Sequence, residues 1–449
     1  MNEASVTFRA NNTDSSSEPR PLVAGWCAHP MRERLYSELH NRPFHLLENP
    51  AQLSHLAIQH GGRLQQREQA FIKALCDRFG VVASPAAAPC FHQDFGLFSL
   101  RWERHMEFST YTFIRQAARS EAPFQSNAID AVPSDWLASL PGELVAAVHV
   151  EVESGSPGDS SESLAPVFDN MAPVGSSASD GRAQIWTSFK LHEDGFGRFL
   201  VCDDELTPAQ RGRLVQRVLE LETYRLMATL GLPLAQELNT VLTQLDQQLK
   251  QLTTRIAQAN LSVSDRQLLA QVSSMAARVE DLRTQSNYRF AATRAYFDVI
   301  RQRMEELREQ KISGHLMVGA FLRRRIDPAV KTCQAVENRL ESISRRVARA
   351  SELLRTRVEL VVQEQNQALM KTMNHRVRVQ LRLQQTVEGL SVAAISYYAI
   401  QLVDLILGAG QATGFDYDRE LLLGGAVPVV IGTVFFATRM VHKRLFKEV

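Results

Sequence analysis

TVEGLSVAAISYYAIQLVDLIL, residues 386–407, decides how the rest of the chain is read. A bilayer core takes about 20 predominantly apolar residues in a helix. Val387 to Leu407 supplies that length, with Glu388 and Asp404 near its two ends. A second apolar run, Leu421 to Met440, carries Arg439 as its only charge. A pair of buried core helices would have the same composition, but polar flanks beside both runs favour lipid. The expectation is a two-helix transmembrane hairpin over 386–441, with spans 387–407 and 421–440.

Charge sets its orientation. Lys371, Arg376, Arg378 and Arg382 precede the first run, and Arg439, Lys443, Arg444 and Lys447 end the second. The loop 408–420 holds Asp416, Asp418 and Glu420 against Arg419 alone. The positive-inside rule then places both termini in the cytoplasm and the loop outside, in the periplasm if the membrane is a bacterial inner membrane. Residues 442–449 form a basic cytosolic tail. Residues 320–382 carry fourteen Lys/Arg against six Asp/Glu. That excess reads as a solvated stalk face, or as contact with anionic headgroups through Arg376, Arg378, Arg382, Lys443 and Arg444. Nucleic-acid binding lacks the aromatic interleaving it needs, and the net charge of the whole chain is only +1.

The long approach to the first span is helical by pattern. Asp327-Pro328 reads as a helix start, and the helix then meets no glycine before Gly389 and no further proline before Pro428. Val336, Leu340, Ile343, Val347, Ala350, Leu354, Val358 and Val361 step by three or four, a coiled-coil-like seam. A helix over 328–407 would reach roughly 120 Å. Thr207-Pro208 opens an earlier helix, stopped near Gly231 and Pro233. Between Leu234 and Ser313 there is no Gly or Pro, and Asn260–Asp265 divides the stretch into two helices, with Ser264 or Asp265 as a cap. Residues 205–385 therefore read as a stalk of long antiparallel helices and coiled coil, and the seam predicts a homo-oligomer.

Residues 1–21 are polar and read as a disordered arm with no signal peptide. Residues 22–204 read as one cytosolic α/β domain. Pro30–His40 and Arg63–Phe79 have helical spacing, and Val82–Pro89 is an Ala/Pro loop. Leu53–Gln59, Gly96–Trp102, Phe108–Arg115, Leu144–Val152, Ala183–Lys190 and Gly197–Cys202 read as strands. Residues 153–181, rich in Ser, Gly, Pro and Asp, read as a mobile loop. With 45% hydrophobic and 22% charged residues the composition is that of an ordinary folded protein. Five scattered cysteines indicate a reducing compartment rather than a disulfide framework. The fold class is thus an α+β membrane protein: a cytosolic α/β domain, a helical stalk and a two-helix hairpin.

His29-Pro-Met-Arg32, Glu38-Leu-His-Asn-Arg-Pro-Phe44 and Trp102-Glu-Arg-His-Met-Glu-Phe-Ser-Thr-Tyr-Thr-Phe113 carry a family resemblance. Asp194-Gly-Phe-Gly-Arg198, Glu222-Thr-Tyr-Arg225 and Gln384-Gln-Thr-Val-Glu-Gly-Leu-Ser-Val392 extend it. From about Trp26 onward the chain resembles the predicted membrane-anchored proteins grouped as domain of unknown function 3422. That resemblance implies an integral membrane protein and transfers no catalytic residues. The order of domains also resembles CorA-type magnesium channels, which are pentamers with a Gly-Met-Asn signature at the outer end of the first span. Here that place reads Gly408-Ala-Gly-Gln411.

For chemistry the sequence offers little. Asp404, with Gln401, Tyr397 and Ser396 over two turns, would form a carboxylate ring and cation path in a symmetric oligomer; otherwise it is a boundary acid reaching headgroups. Glu388 is an acid at the membrane edge, a functional candidate or a partner of Arg382 or Arg439. Trp102-Glu103-Arg104-His105 with Glu107 suits acid–base work but reads better as a structural polar cluster. Cys27-Ala-His29 and Cys90-Phe-His92 would supply four zinc ligands only if the pairs meet; His40 and His45 read as surface or capping residues. No phosphate loop, H-E-x-x-H or G-x-S-x-G is present. The sequence points to a non-enzymatic membrane anchor for a cytosolic oligomer, without cofactor or nucleic acid. Its alternative is a CorA-like divalent-cation channel with an altered filter; a membrane-tethered enzyme, suggested by the His and Trp content of 26–192, is a third class.

Overall fold

The computed structural model describes residues 29–32, 35–36, 45–60, 65–82, 89–116, 123–155, 164–258, 264–412 and 418–445. The expected arm at 1–21, Cys27, His40 and most of the loop at 82–89 lie outside them. The chain divides into two compact units, one of residues 1–250 with 274–347, the other of residues 251–273 with 348–449.

The first unit is built on a sheet of nine strands among the described residues. These are β1 (Ala51–Gln59), β2 (Cys90–Asp94), β3 (Ser99–Arg104), β4 (Phe108–Gln116), β5 (Glu143–Glu153), β6 (Val174–Ala178), β7 (Ala183–Thr187), β8 (Gly197–Asp203) and β9 (Gln310–Lys311). Their order is β2-β3-β4-β1-β5-β8-β7-β6-β9. β5 and β8 run parallel, and the other neighbours are antiparallel. Three strands escape the sequence reading, among them the two-residue β9. β2 is short and alternates poorly, and β6 (VGSSA) is made of small and polar residues inside the stretch 153–181 expected to be a mobile loop. That stretch also buries Leu164 and Phe168.

Both faces of β1 are covered, because alternate side chains point to opposite sides of a strand. Leu56 and Ile58 join α1 (Gln65–Phe79), the aromatic residues of β3 and β4, and Trp136 of α2 (Ser134–Leu137) in one core. Leu53 joins Val150, Phe199 and Val201 in the other, beneath α3 (Pro208–Thr229). Parts of α5 (Ser264–Glu306) and α6 (Val318–Ala412) enter the same core through Ile300, Met304, Leu322 and Ile326. The expected boundary at 204/205 therefore falls inside a single core.

α3 begins as its sequence dictates. Thr207 Oγ1 accepts from the Gln210 amide at 3.3 Å, Gln210 Oε1 returns the bond to the Thr207 amide at 3.1 Å, and Pro208 occupies the first turn. A buried ion pair secures the turn before it. Arg211 donates to both Asp203 oxygens at 2.7 and 3.0 Å and to the carbonyls of Leu47 and Leu206 at 2.8 Å. Gly231 does not simply stop α3; α4 (Gly231–Gln258) starts there. A Cβ at this junction would meet Thr293 Oγ1 at 2.4 Å.

Two expectations for the long helix are corrected. α6 starts at Val318, so Asp327-Pro328 lies within it rather than at its start. Its opening turn is fixed by tertiary bonds that the sequence pattern hides: Ser176 Oγ accepts from the Val318 amide, and Glu309 Oε2 from the Gly319 amide, each at 2.9 Å. The seam is also filled within one chain. Val336, Leu340, Ile343 and Val347 are buried, as are Leu238, Leu242, Leu245 and Leu249 of α4. Asp246 there accepts from Arg339 at 2.9 Å and Arg346 at 2.7 Å.

In the second unit Leu252, Leu268, Val272, Ala350 and Leu354 are buried, and Arg357 donates to the Ile256 carbonyl at 2.8 Å. The seam ends there: Val358 and Val361 are half-buried, and every residue from Val362 to Val387 is exposed. α6 continues through Gly408-Ala-Gly-Gln411 to Ala412, so that stretch is helix rather than loop. α7 (Arg419–Leu445) opens two residues before the expected second span.

Candidate functional site

Two places draw attention, one in each unit. In the second unit, the end of α6 and most of α7 are long and apolar enough to cross a membrane, and almost none of either apolar stretch is buried. Leu390, Leu402, Leu405, Val429 and Phe436 are all exposed. Water-facing helices do not carry such a surface without a cover.

The first of these helices places the expected site residues unevenly. Tyr397, Gln401 and Asp404 stand at i, i+4 and i+7 and share a face, and Gln401 Nε2 donates to the Tyr397 hydroxyl at 3.0 Å. Ser396, expected beside them, is instead buried. Glu388, nine residues before Tyr397, lies about half a turn round the helix and off the stripe. Arg376, Arg378 and Arg382 are exposed. The side chains of Lys443 and Arg444 lie outside the described residues.

In the first unit, a cavity of about 290 Å³ opens between the sheet and α3. A row of side chains in register crosses its floor: Arg101 of β3, Thr112 of β4 and His55 of β1, and His92 of β2 continues the row beyond it. His55 is fastened at both ring nitrogens, Nδ1 to Thr112 Oγ1 at 2.8 Å and Nε2 to Thr223 Oγ1 of α3 at 3.0 Å. Burial, then His105 and Arg101, lowers its pKa to about 3, so the ring is neutral. His45 packs on His92 with ring centroids 4.8 Å apart. Burial is the first cause that lowers both their pKa values; the neighbouring cation Arg101 also acts on both, while Asp94 pulls the other way.

Arg101 donates from Nη2 to Glu103 Oε1 at 2.9 Å on the same strand face. Leu53, Ile114, Val215 and Leu219 form the apolar end. Gly212 lets α3 approach the segment before β1, since a Cβ there would lie 1.8 Å from the His45 carbonyl oxygen. Glu220 is bound by Gln216 and Arg303, and Arg303 also holds Glu306.

Glu107, expected in a polar cluster, ties α5 to the sheet. It accepts from Arg289 at 3.0 and 2.6 Å and from the Tyr296 hydroxyl at 2.7 Å. Cys90 and His92 lie on one face of β2; Cys27, of the other expected zinc pair, lies outside the described residues. Among the described residues, no group of three or more His, Cys, Asp or Glu is placed to hold a metal.

Sequence reasoning missed one further cluster. His192 Nδ1 meets Asp169 Oδ2 at 2.6 Å, and Nε2 meets Ser188 Oγ at 3.2 Å. The order of groups is that of a nucleophile relay, but Ser188 Oγ also accepts the Lys190 amide of its own turn at 3.3 Å, and Ser188 and His192 are buried. Arg198 and Asp194, from one of the runs that carried the family resemblance, border it at 3.3 and 3.6 Å contacts.

A mixed sheet clothed by helices, followed by two exposed apolar helices, defines a class of α+β protein with a candidate membrane hairpin. The family model described as protein of unknown function (DUF3422) matches residues 27–445, and the chain belongs to that family. No curated protein and no solved structure matches it.

Proposed function

We propose that this protein is an integral membrane protein whose C-terminal hairpin holds a cytoplasmic sheet-and-helix assembly at the bilayer, without catalysis of its own. The observation that carries this reading is the exposure of the apolar stretches of α6 and α7, which find no cover among the described residues. Lipid is the solvent that such helices suit. The basic residues Arg376, Arg378, Arg382, Arg439, Lys443 and Arg444 flank the hairpin on one side, which favours cytoplasmic termini, an outer loop near 408–420 and a bacterial inner membrane. The assembly is a homo-oligomer. Leu360, Leu369, Met373, Val377 and Leu381 are exposed on the part of α6 before the span, where a second copy of the same helix would cover them.

Full-length protein should stay with vesicles in alkaline carbonate and float with liposomes. A chain that washes off and diffuses as a monomer overturns the reading. A second reading, a divalent-cation channel of CorA-like layout, is favoured by the stripe Tyr397–Gln401–Asp404 on the first span. Cation flux in proteoliposomes that Asp404→Asn abolishes would support it; no flux from either protein would remove it.

A further inference from the structure

The cavity beneath α3 has a polar end that its own residues leave incomplete. Arg101 and Glu103 are only 12% and 16% exposed, yet one hydrogen bond is all that joins them. A guanidinium has five N–H donors, so four of Arg101's find no acceptor among the described residues. Glu103 Oε2 likewise accepts no hydrogen bond among the described residues. Both side chains line the cavity and neither is fully buried, so the atoms this pair leaves unused face solvent there, and a ligand's charged groups can replace that water. The neighbouring Arg303–Glu220 pair differs: Gln216 and Glu306 complete it.

We propose that this cavity binds a free α-amino acid with an apolar side chain, its carboxylate on Arg101, its ammonium on Glu103 and its side chain against Leu53, Ile114, Val215 and Leu219. Charge argues for a zwitterion. The Arg101–Glu103 pair sums to zero, so a ligand with one charge of each sign leaves no net charge in the cavity. A simple carboxylate would leave one negative charge uncompensated, and a simple amine one positive. Thr110 and Thr112 stand opposite Glu103 and Arg101 in the register and line the same floor. The volume, about 290 Å³, suits a ligand of this size rather than a nucleotide.

The test uses the full-length chain in detergent or nanodiscs, with binding followed by calorimetry. The probes are L-leucine, L-phenylalanine, 4-methylpentanoate and 3-methylbutylamine. Saturable binding of either amino acid, with at least about tenfold weaker binding of the acid and the amine, is expected. Arg101→Gln and Glu103→Gln should each weaken leucine binding by at least about tenfold while the melting temperature of the free protein stays within a few degrees. No binding of either amino acid by the unsubstituted protein overturns the proposal, as does a singly charged analogue that binds as tightly as leucine. If Arg101→Gln fails to fold, the probe series on the unsubstituted protein decides alone.

Discussion

Placing arginine near the middle of both apolar runs, Ile395→Arg with Val429→Arg, separates a lipid-facing hairpin from a pair of water-facing helices. Both side chains are exposed, Ile395 at 48% and Val429 at 66%, so neither substitution removes much packing within the chain. In water such changes alter stability by about 0.5 kcal/mol or less. In a bilayer, Ile or Val at a helix centre contributes roughly −0.5 kcal/mol to insertion and Arg about +3. Each site therefore shifts its span by about 3.5 kcal/mol, a few hundredfold in the insertion equilibrium. The assay is membrane-coupled translation followed by carbonate extraction, with Leu360→Arg, also exposed, as a control outside the spans. The double variant should move to the supernatant while the control stays in the pellet. Equal retention of both would refute the lipid-facing reading.

Asp203→Ala strands the Arg211 guanidinium in a buried site and should cost about 3–5 kcal/mol, measured by denaturant unfolding of the full chain. Gly212→Ala forces α3 away from the His45 carbonyl and should lower the melting temperature; an unchanged melt would mean the two backbones separate freely. Acid should destabilise the first unit. His55 and His149 are held neutral by burial, with pKa values lowered to about 3 and about 4, whereas the unfolded chain takes protons near 6.5. Between those limits the unfolded state binds more protons, so stability falls as pH falls below 6.5, by about 2 kcal/mol per histidine at pH 5. His55→Gln with His149→Gln should flatten the slope of stability against pH over that window.

How far the sequence could be read depended on whether the deciding interaction was local. Thr207, Pro208 and Gln210 are near neighbours, and the helix they cap starts where expected. Leu53–Gln59 reads as a strand and is β1, and the alternation in Leu144–Val152 marks β5. β6 and the start of α6 were hidden because partners distant in sequence hold them, through Ser176 with Val318 and Glu309 with Gly319. Pro328 misled for the same reason: a helix pinned upstream runs through a proline that in isolation suggests an N-terminus. The seam was legible as a buried stripe, but a single sequence does not say whether its cover comes from the same chain. Of the candidate sites, the stripe at Tyr397, Gln401 and Asp404 followed from helical period alone. The cavity did not, since its floor depends on which strands become neighbours.

β9 joins the outer edge of the sheet from residues 310–311, long after β8 has been made, and α3 closes over Val150, Phe199 and Val201 only once residues 208–229 have emerged. A nascent chain halted at 204 would carry eight of the nine strands with one greasy face still bare. Truncations made there to obtain the N-terminal part alone should precipitate, whereas fragments extended to Val347 retain the helices that complete it.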